Sequence, residues 1–385
     1  MQKIVIASDS FKGSLTSAQV AQAASEAVRD VYPDCEVVSL YIGDGGEGTA
    51  EALASVLGAE AHEASVHDPL GRKLKAVFHT FRSDSQLTAI IESASASGLA
   101  LLSPDEYNPL AATTYGMGEL INAALEHGCR RFMIGLGGSA TNDGGTGMLE
   151  ALGFRFSDSD GNLIKDLSGG KLNRIACIDS SAAHPALSES EFIAACDVDT
   201  PFCGPEGASA VFAPQKGADA EALEILEDGM QSFNRVIADR LRTDLSQIPC
   251  SGAAGGLGGA LKVFLGARLV KGIDMVLNAM DFDAEIMDAD LIITGEGRID
   301  SQTSKGKVVS GVAGRAARQD IPVIAIAGIV DLPESEWESA GLAAVCPIAP
   351  RPQTAEALKE SMKPENAYEA VRRTVSAVLQ RLPRP

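Results

Sequence analysis

Both ends of the chain alternate short apolar runs with stretches of helical periodicity, and nothing else in the sequence restricts the fold so much. Residues 4–7 (Ile-Val-Ile-Ala) are apolar and have the length of a buried strand. Thr16 and Gln19 have the spacing of a capping box, in which cap hydroxyl and amide satisfy each other's backbone N–H groups. Val20, Ala23, Ala24, Ala27, Val28 and Val31 then share one helical face. Pro33-Asp34 stops that helix, residues 37–42 form the next strand, and a further helix runs to residue 57. The last hundred residues repeat the scheme. The patterns predict strands at 291–294, 323–327 and 343–348 and helices at 304–318, 333–340 and 365–381, with Val308, Val309, Val312 and Ala316 inward. Strands that alternate with helices pair in parallel through right-handed crossovers, so the expected class is α/β.

The middle of the chain has another texture. Residues 62–92 read as strands with few helical signals, and Asp158-Ser159-Asp160-Gly161 reads as a hairpin-type turn. Residues 115–127 and 219–241 read as helices, and 132–136 as a strand running into a glycine loop. We therefore expect two α/β domains with mainly parallel sheets: a discontinuous one from residues 1–61 and 285–385, and one inserted at 62–284. A length of 385 residues suits two domains at roughly 100–200 residues each. A chain that long needs no disulfide or metal staple. The seven cysteines are scattered and form no C-x-x-C, which indicates neither a disulfide framework nor a zinc site. The first apolar run is too short for a signal sequence, and no run of about 18 apolar residues occurs, so a reducing cytoplasm is the expected compartment. With 52 acidic and 32 basic residues the net charge is −20, which argues against a broad nucleic-acid or anionic-membrane surface. One small anionic ligand stays compatible, because charges beyond about 8 Å are mostly screened.

Three acid-bearing glycine loops each follow a predicted strand: Asp44-Gly45-Gly46-Glu47-Gly48, Asn142-Asp143-Gly144-Gly145 and Gly295-Glu296-Gly297-Arg298-Ile299-Asp300. Open α/β sheets bind ligands at that end of their strands. Glycines let backbone N–H groups approach a phosphate, and a helix N-terminus adds about half a positive charge. The carboxylates suit Mg²⁺, which takes one or two of them beside phosphate oxygens. Glycine and aspartate also make ordinary turns and caps, but three such loops in one chain weigh against that reading alone. Gly135 to Ala140 fits G-x-G-x-x-A, with Asp158 or Asp160 some twenty residues on. Those acids lie in a polar turn rather than at a strand end, so the loop reads better as a longer phosphate cradle.

Basic groups stand among small residues at Lys12, Lys216, Arg298, Lys305 and Lys307. A lysine there is a point charge for phosphate, and an arginine can grip a carboxylate with two bonds. Asp197 follows the strand of residues 192–195, where it could orient a substrate hydroxyl and accept its proton or serve equally as an ordinary helix-cap or turn acid. No G-x-x-x-x-G-K-[ST], protein-kinase set, G-x-S-x-G or H-E-x-x-H occurs, and the five histidines have no ligand spacing.

These strings together resemble the bacterial glycerate kinase family, the two-domain type unrelated to protein kinases. The carrying segments are residues 7–14, 43–49, 91–98, 135–145, 195–199, 207–212, 214–217, 252–259 and 294–302, in order along nearly the whole chain. Ser8, Gly43 and Ser93 stand where Pro, Ala and Met are usual, and none of these departures removes a charge. The resemblance implies ATP- and Mg²⁺-dependent phosphorylation of D-glycerate in a cleft between two α/β domains. Within it, Asp197, Lys12 and Asp300 are candidate catalytic residues, Asp197 as base with Asp300 as runner-up. Asp9, Ser10, Glu92, Ser95 and Arg298 are candidate substrate contacts; Gly137, Gly138, Ser139, Asn142 and Gly144 would cradle ATP; Asp44, Glu47 and Glu296 would position Mg²⁺. The resemblance favours 2-phosphoglycerate as product. The 3-position or another small hydroxy acid stays open, with a nicotinamide-dependent dehydrogenase or a non-catalytic metabolite sensor ranked lower. The expected partners are D-glycerate and ATP.

Overall fold

The structure, a computed structural model, describes residues 1–42, 49–83, 86–301, 303, 307–349 and 354–382. Two compact units emerge: Met1–Asp44 with Ile273–Pro385, and Gly45–Gly272.

The first unit is built on a five-stranded, fully parallel sheet in the order Ala344–Pro347, Val323–Val330, Leu291–Ile299, Lys3–Ser8, Glu36–Tyr41. Ile4, Val5, Ile6 and Ala7 are wholly buried, as a central parallel strand covered on both faces requires. The helix Ser17–Val31 opens on the expected capping box: Thr16 N donates to Gln19 Oε1 at 2.9 Å and Gln19 N to Thr16 Oγ1 at 3.2 Å. Its apolar face buries Val20, Ala23, Ala24, Ala27 and Val28 against the sheet and the helix Pro364–Leu379, while Val31 at the last turn is half-exposed. Two expected elements differ. The helix predicted over 304–318 is Val308–Ala316, its first three positions lying outside the described residues. The helix predicted over 333–340 is only the short 3-10 turn Glu334–Glu336 with further turns, one closed by Trp337 Nε1 donating to Leu332 O.

The second unit carries a six-stranded sheet in the order Arg268–Val270, Glu191–Ala195, Arg131–Gly135, Gln86–Glu92, Lys73–Ser83, Glu60–His67. The first four strands are parallel and the last two attach antiparallel, which explains the strand-only texture of residues 62–92. Stacked Phe132 and Phe192 anchor one core. The turn at Asp158 joins Arg155–Ser157 to Leu163–Ile164 in a small antiparallel sheet, with Asp158 Oδ1 accepting from the backbone N of Asp160 and Asn162.

The unit boundaries fall elsewhere than expected. Residues 49–56, the helix Thr49–Val56, pack on the strands Lys73–Ser83 and Gln86–Glu92 and so belong with the inserted unit. Residues 273–284 belong with the terminal unit, because buried Arg315 ties them down: it donates to Asp283 (2.7 Å), Asn278 (2.7 Å) and Asp274 (3.3 Å). Among the described residues no helix is long and apolar enough to cross a membrane. All seven cysteines are free thiols.

Removing the cap hydroxyl in Thr16→Ala should cost about 1 kcal/mol of unfolding free energy. Denaturant melts read this directly, and an unchanged midpoint would show that the box carries no stability.

Candidate active site

In the terminal unit the candidate residues gather where Lys3–Ser8 ends beside Gly295 of the strand Leu291–Ile299. Ser8 is register partner of Gly295, and Asp9 N donates to Gly295 O at 2.9 Å. The segment from Gly295 to Ile299, expected as a loop, is part of the strand. The neighbouring strand Val323–Val330 extends with it and pairs Glu296 with Ala327 and Arg298 with Ile329. The first loop packs against this edge: a methyl at Gly297 would be in van der Waals contact with Lys12 N at 3.4 Å. Strand pairing thus fixes Asp9, Lys12 and Glu296 in one neighbourhood.

Glu296 is buried. The Thr303 hydroxyl donates to its Oε1, and Lys307 Nζ stands 4.0 Å from its Oε2. Burial pushes its carboxyl above the usual range and the charges of Asp9 and Asp300 push the same way, while Thr303 and Lys307 oppose them. Thr303 is itself held by Asp300, whose backbone N donates to Thr303 Oγ1 at 3.0 Å. Asp9 Oδ1 accepts from Ser10 N at 2.6 Å. Lys12 is exposed in its loop. Arg298 stands 3.6 Å from Asp331 and is more than half exposed. Of the expected Mg²⁺ residues, Asp44 and Glu47 lie outside the described residues, as does Lys305. Among the described residues no three His, Cys, Asp or Glu side chains form a ready ligand set. Carboxylate oxygens at Glu296, with Asp9 and Asp300 acting on it, are nonetheless the hard donors Mg²⁺ takes, and that ion needs only one or two from protein.

In the inserted unit a second group lies at the ends of Gln86–Glu92, Arg131–Gly135 and Glu191–Ala195. Glu92 is register partner of Gly135, and its carboxylate lies over that glycine: a methyl there would be 2.7 Å from Glu92 Oε1. The Glu92 Oε2 also accepts from Ala50 N at 3.4 Å, in the first turn of the helix Thr49–Val56, where the helix dipole favours an anion. The glycine-rich loop is zipped to the segment after Glu92 by Ser93 N to Gly135 O (3.0 Å), Leu99 N to Gly138 O (2.7 Å) and Ala140 N to Ser97 O (2.8 Å). Ser95 is half-buried in the short helix Ala94–Ser97 of that segment.

The loop is narrower at the surface than the glycine string suggests. Gly137 is half-buried, Gly138 is exposed and Ser139 is 7% exposed, but residues 141–149 are all buried. Asn142, expected to touch nucleotide, instead donates from Nδ2 to Ser209 Oγ at 3.1 Å inside the protein. Gly144, also expected to touch it, adopts φ +61° with Phe233 and Phe202 against it. Both therefore support the loop from within. Asp143 likewise is structural: it accepts from Thr114 N and Oγ1 (2.8 Å each), Gly145 N (3.1 Å) and Gly147 N (3.2 Å). Burial pushes its carboxyl upward against those four donors. Asp197 is exposed beyond Glu191–Ala195, and its Oδ1 accepts from Gly272 N at 2.9 Å.

Thr303, Thr114 and Asp331 carry geometry that the sequence reading did not single out. The spacing Asp300-x-x-Thr303 is a turn signal that could have exposed the first. Thr114 and Asp331 reach their partners across the fold and leave no local trace.

The glycerate kinase family model matches residues 4–382. A Bacillus subtilis (strain 168) protein named glycerate kinase is 45% identical over 90% of each chain. An Escherichia coli (strain K12) protein named glycerate 2-kinase is 47% identical over 85% of each. A crystal structure described as a glycerate kinase 2 from Salmonella typhimurium LT2 superposes with a TM-score of 0.84 at 43% identity, covering 98% of this chain and 97% of that one.

Replacing Thr303 by Val removes a donor that favours ionised Glu296. Its titration midpoint, followed by carbon NMR of labelled glutamate, should then move to higher pH than in the wild type. An unmoved midpoint would mean the Thr303 hydroxyl does not act on that carboxylate.

Proposed function

The chain belongs to the glycerate kinase family, and from that premise we propose that it transfers the γ-phosphoryl group of ATP to the 2-hydroxyl of D-glycerate, giving 2-phosphoglycerate and ADP. The observation that carries the 2-position is the 47% identity to the protein named glycerate 2-kinase. Phosphoryl transfer asks a protein for positioning and charge neutralisation rather than covalent chemistry, and the two groups of side chains supply donors of both kinds.

Asp197 serves as base. One carboxylate oxygen is oriented by Gly272 N, and the group takes the hydroxyl proton as the oxygen bonds to the γ-phosphorus. The bond from that phosphorus to the β–γ bridging oxygen breaks, and ADP leaves. Lys12, exposed beside Asp9, pairs with the transferring phosphate or the glycerate carboxylate. Asp9, Ser10, Glu92, Ser95 and Arg298 complete the substrate contacts, with Asp300 the second candidate base. Gly137, Gly138 and Ser139 present the nucleotide-binding edge of the loop, with Asn142 and Gly144 bracing it from behind. Glu296, Asp44 and Glu47 would hold Mg²⁺, which when bound neutralises charge on the phosphates. The compartment we propose is the cytoplasm.

Incubation with ATP, Mg²⁺ and D-glycerate, with enolase in the same cuvette, tests the reading. Immediate conversion is expected. Conversion only after phosphoglycerate mutase is added would move the product to the 3-position, and no ADP would overturn the glycerate assignment.

Asp197→Asn keeps an oxygen for Gly272 N, so its melting point should hardly change. Its kcat should fall by about 10²–10⁴-fold, the usual worth of a general base. Near-normal turnover would remove Asp197 from the chemistry.

A further inference from the structure

Lys216 has no role in the reaction above, yet it is a charged side chain buried against the glycine-rich loop. It is 2% exposed. Burying an ammonium is costly unless its protons find acceptors. Its Nζ donates to Ser139 Oγ at 2.8 Å and to Thr141 O at 2.7 Å. Both acceptors belong to the loop, one on each side of Ala140. The backbone holding Lys216 is itself fixed. Its N donates to Ala213 O at 3.0 Å, and Gly217 follows at φ +95°, where a methyl would lie 2.5 Å from Tyr107 O. The side chain is thus sent inward by the turn.

The direction of the bond to Ser139 matters. An ammonium has no lone pair, so Ser139 Oγ must accept, and the hydroxyl keeps its own proton to donate elsewhere. A hydroxyl polarised by a cation is the stronger donor. Ser139 also pairs with Gly98 and, itself buried, directly follows exposed Gly138, so it lies immediately behind the exposed tip of the loop. Burial lowers the lysine to about 7 while the Asp143 charge opposes that shift, and an anion bound at the loop would favour the protonated form, in which Nζ can only donate to Ser139.

We infer that Lys216 is a positioning residue for nucleotide: from behind the loop it sets Ser139 as a hydroxyl donor and holds the Gly137–Gly138 tip in shape for the polyphosphate of ATP. The inference rests on the assignment of this loop to nucleotide in the function proposed above. A lysine that only held the fold together would lower stability when replaced and leave the nucleotide affinity of the folded protein unchanged.

Calorimetric titration of Mg·ATP, without glycerate, into the wild type, Lys216→Met, Ser139→Ala and the double variant separates the two. Lys216→Met should weaken binding by about tenfold or more, and Ser139→Ala by several-fold, as loss of charge-assisted bonds does. The double variant should bind no worse than Lys216→Met, because both changes break one chain of bonds. The KM for D-glycerate should stay within about twofold in each. Folded Lys216→Met that binds ATP like the wild type, or losses that simply add, would overturn the inference. If Lys216→Met does not fold, Ser139→Ala decides alone, and an unchanged affinity overturns it. A wild type that binds ATP but phosphorylates no D-glycerate would sink the substrate assignment only and leave this comparison in force. A wild type that binds no ATP would sink both.

Discussion

The pairing of Lys3–Ser8 with Leu291–Ile299 is the constraint on which the rest of the terminal unit depends. It joins strands from opposite ends of the sequence, so that Ser8 and Gly295 become neighbours. The chain between them must leave the sheet, fold and return, and the inserted unit occupies that excursion. Closing so large a loop costs conformational entropy that grows only logarithmically with its length. The buried apolar runs of residues 4–7 and 291–293, paired in the middle of a parallel sheet, can meet that cost. The same register places Asp9 against the backbone of Gly295 and so brings it into the field of Glu296. An acidic neighbourhood that raises a buried carboxyl is a direct consequence of strand order.

The inserted unit solves another problem, that of holding charges inside a core of alanine, leucine and phenylalanine. Glu92, Asp143 and Lys216 are each at most 9% exposed. Each is matched to donors or acceptors of a different kind: Glu92 to the first turn of a helix, Asp143 to a threonine and two loop N–H groups, Lys216 to a hydroxyl and a carbonyl. A half-satisfied polar network would cost more than an apolar core. These matches pin the segments around residues 50, 93–99, 114 and 135–147 to one another, and the glycine-rich loop inherits its rigidity from them.

Alternation of apolar runs and helical faces made the strands and most helices legible, because buried parallel strands and amphipathic helices are written in local periodicity. The capping box at Thr16 and the Asp158 turn were legible for the same reason: each is a bond between residues a few positions apart. What local pattern could not show was length decided by a neighbour. The strand Leu291–Ile299 runs through its glycines because Val323–Val330 offers it partners that far. The compact units divide at 44/45 and 272/273 because Arg315 and the packing of Thr49–Val56 act between segments distant in sequence, which local pattern does not register.

Glycine was the least reliable sign of ligand chemistry, and the reason is steric. Gly145 meets Ala260 at 2.4 Å and Gly147 meets Thr113 Oγ1 at 2.1 Å from an added methyl; Gly255 at φ +67° would place one 2.0 Å from Thr141 O. These residues let backbone pass backbone in the core, which uses the same lack of a side chain as a phosphate cradle does. Burial separates the two uses: Gly137 is half-buried and Gly138 exposed, whereas Gly135, Gly144, Gly145 and Gly147 are buried. A chain of net charge −20 that handles two anionic substrates must supply its cations locally, because distant charges are screened. Lys12 stands exposed in the loop that follows Lys3–Ser8. Lys216 acts from inside, where low polarity strengthens its bonds to the loop and its charge reaches the ligand through the Ser139 hydroxyl.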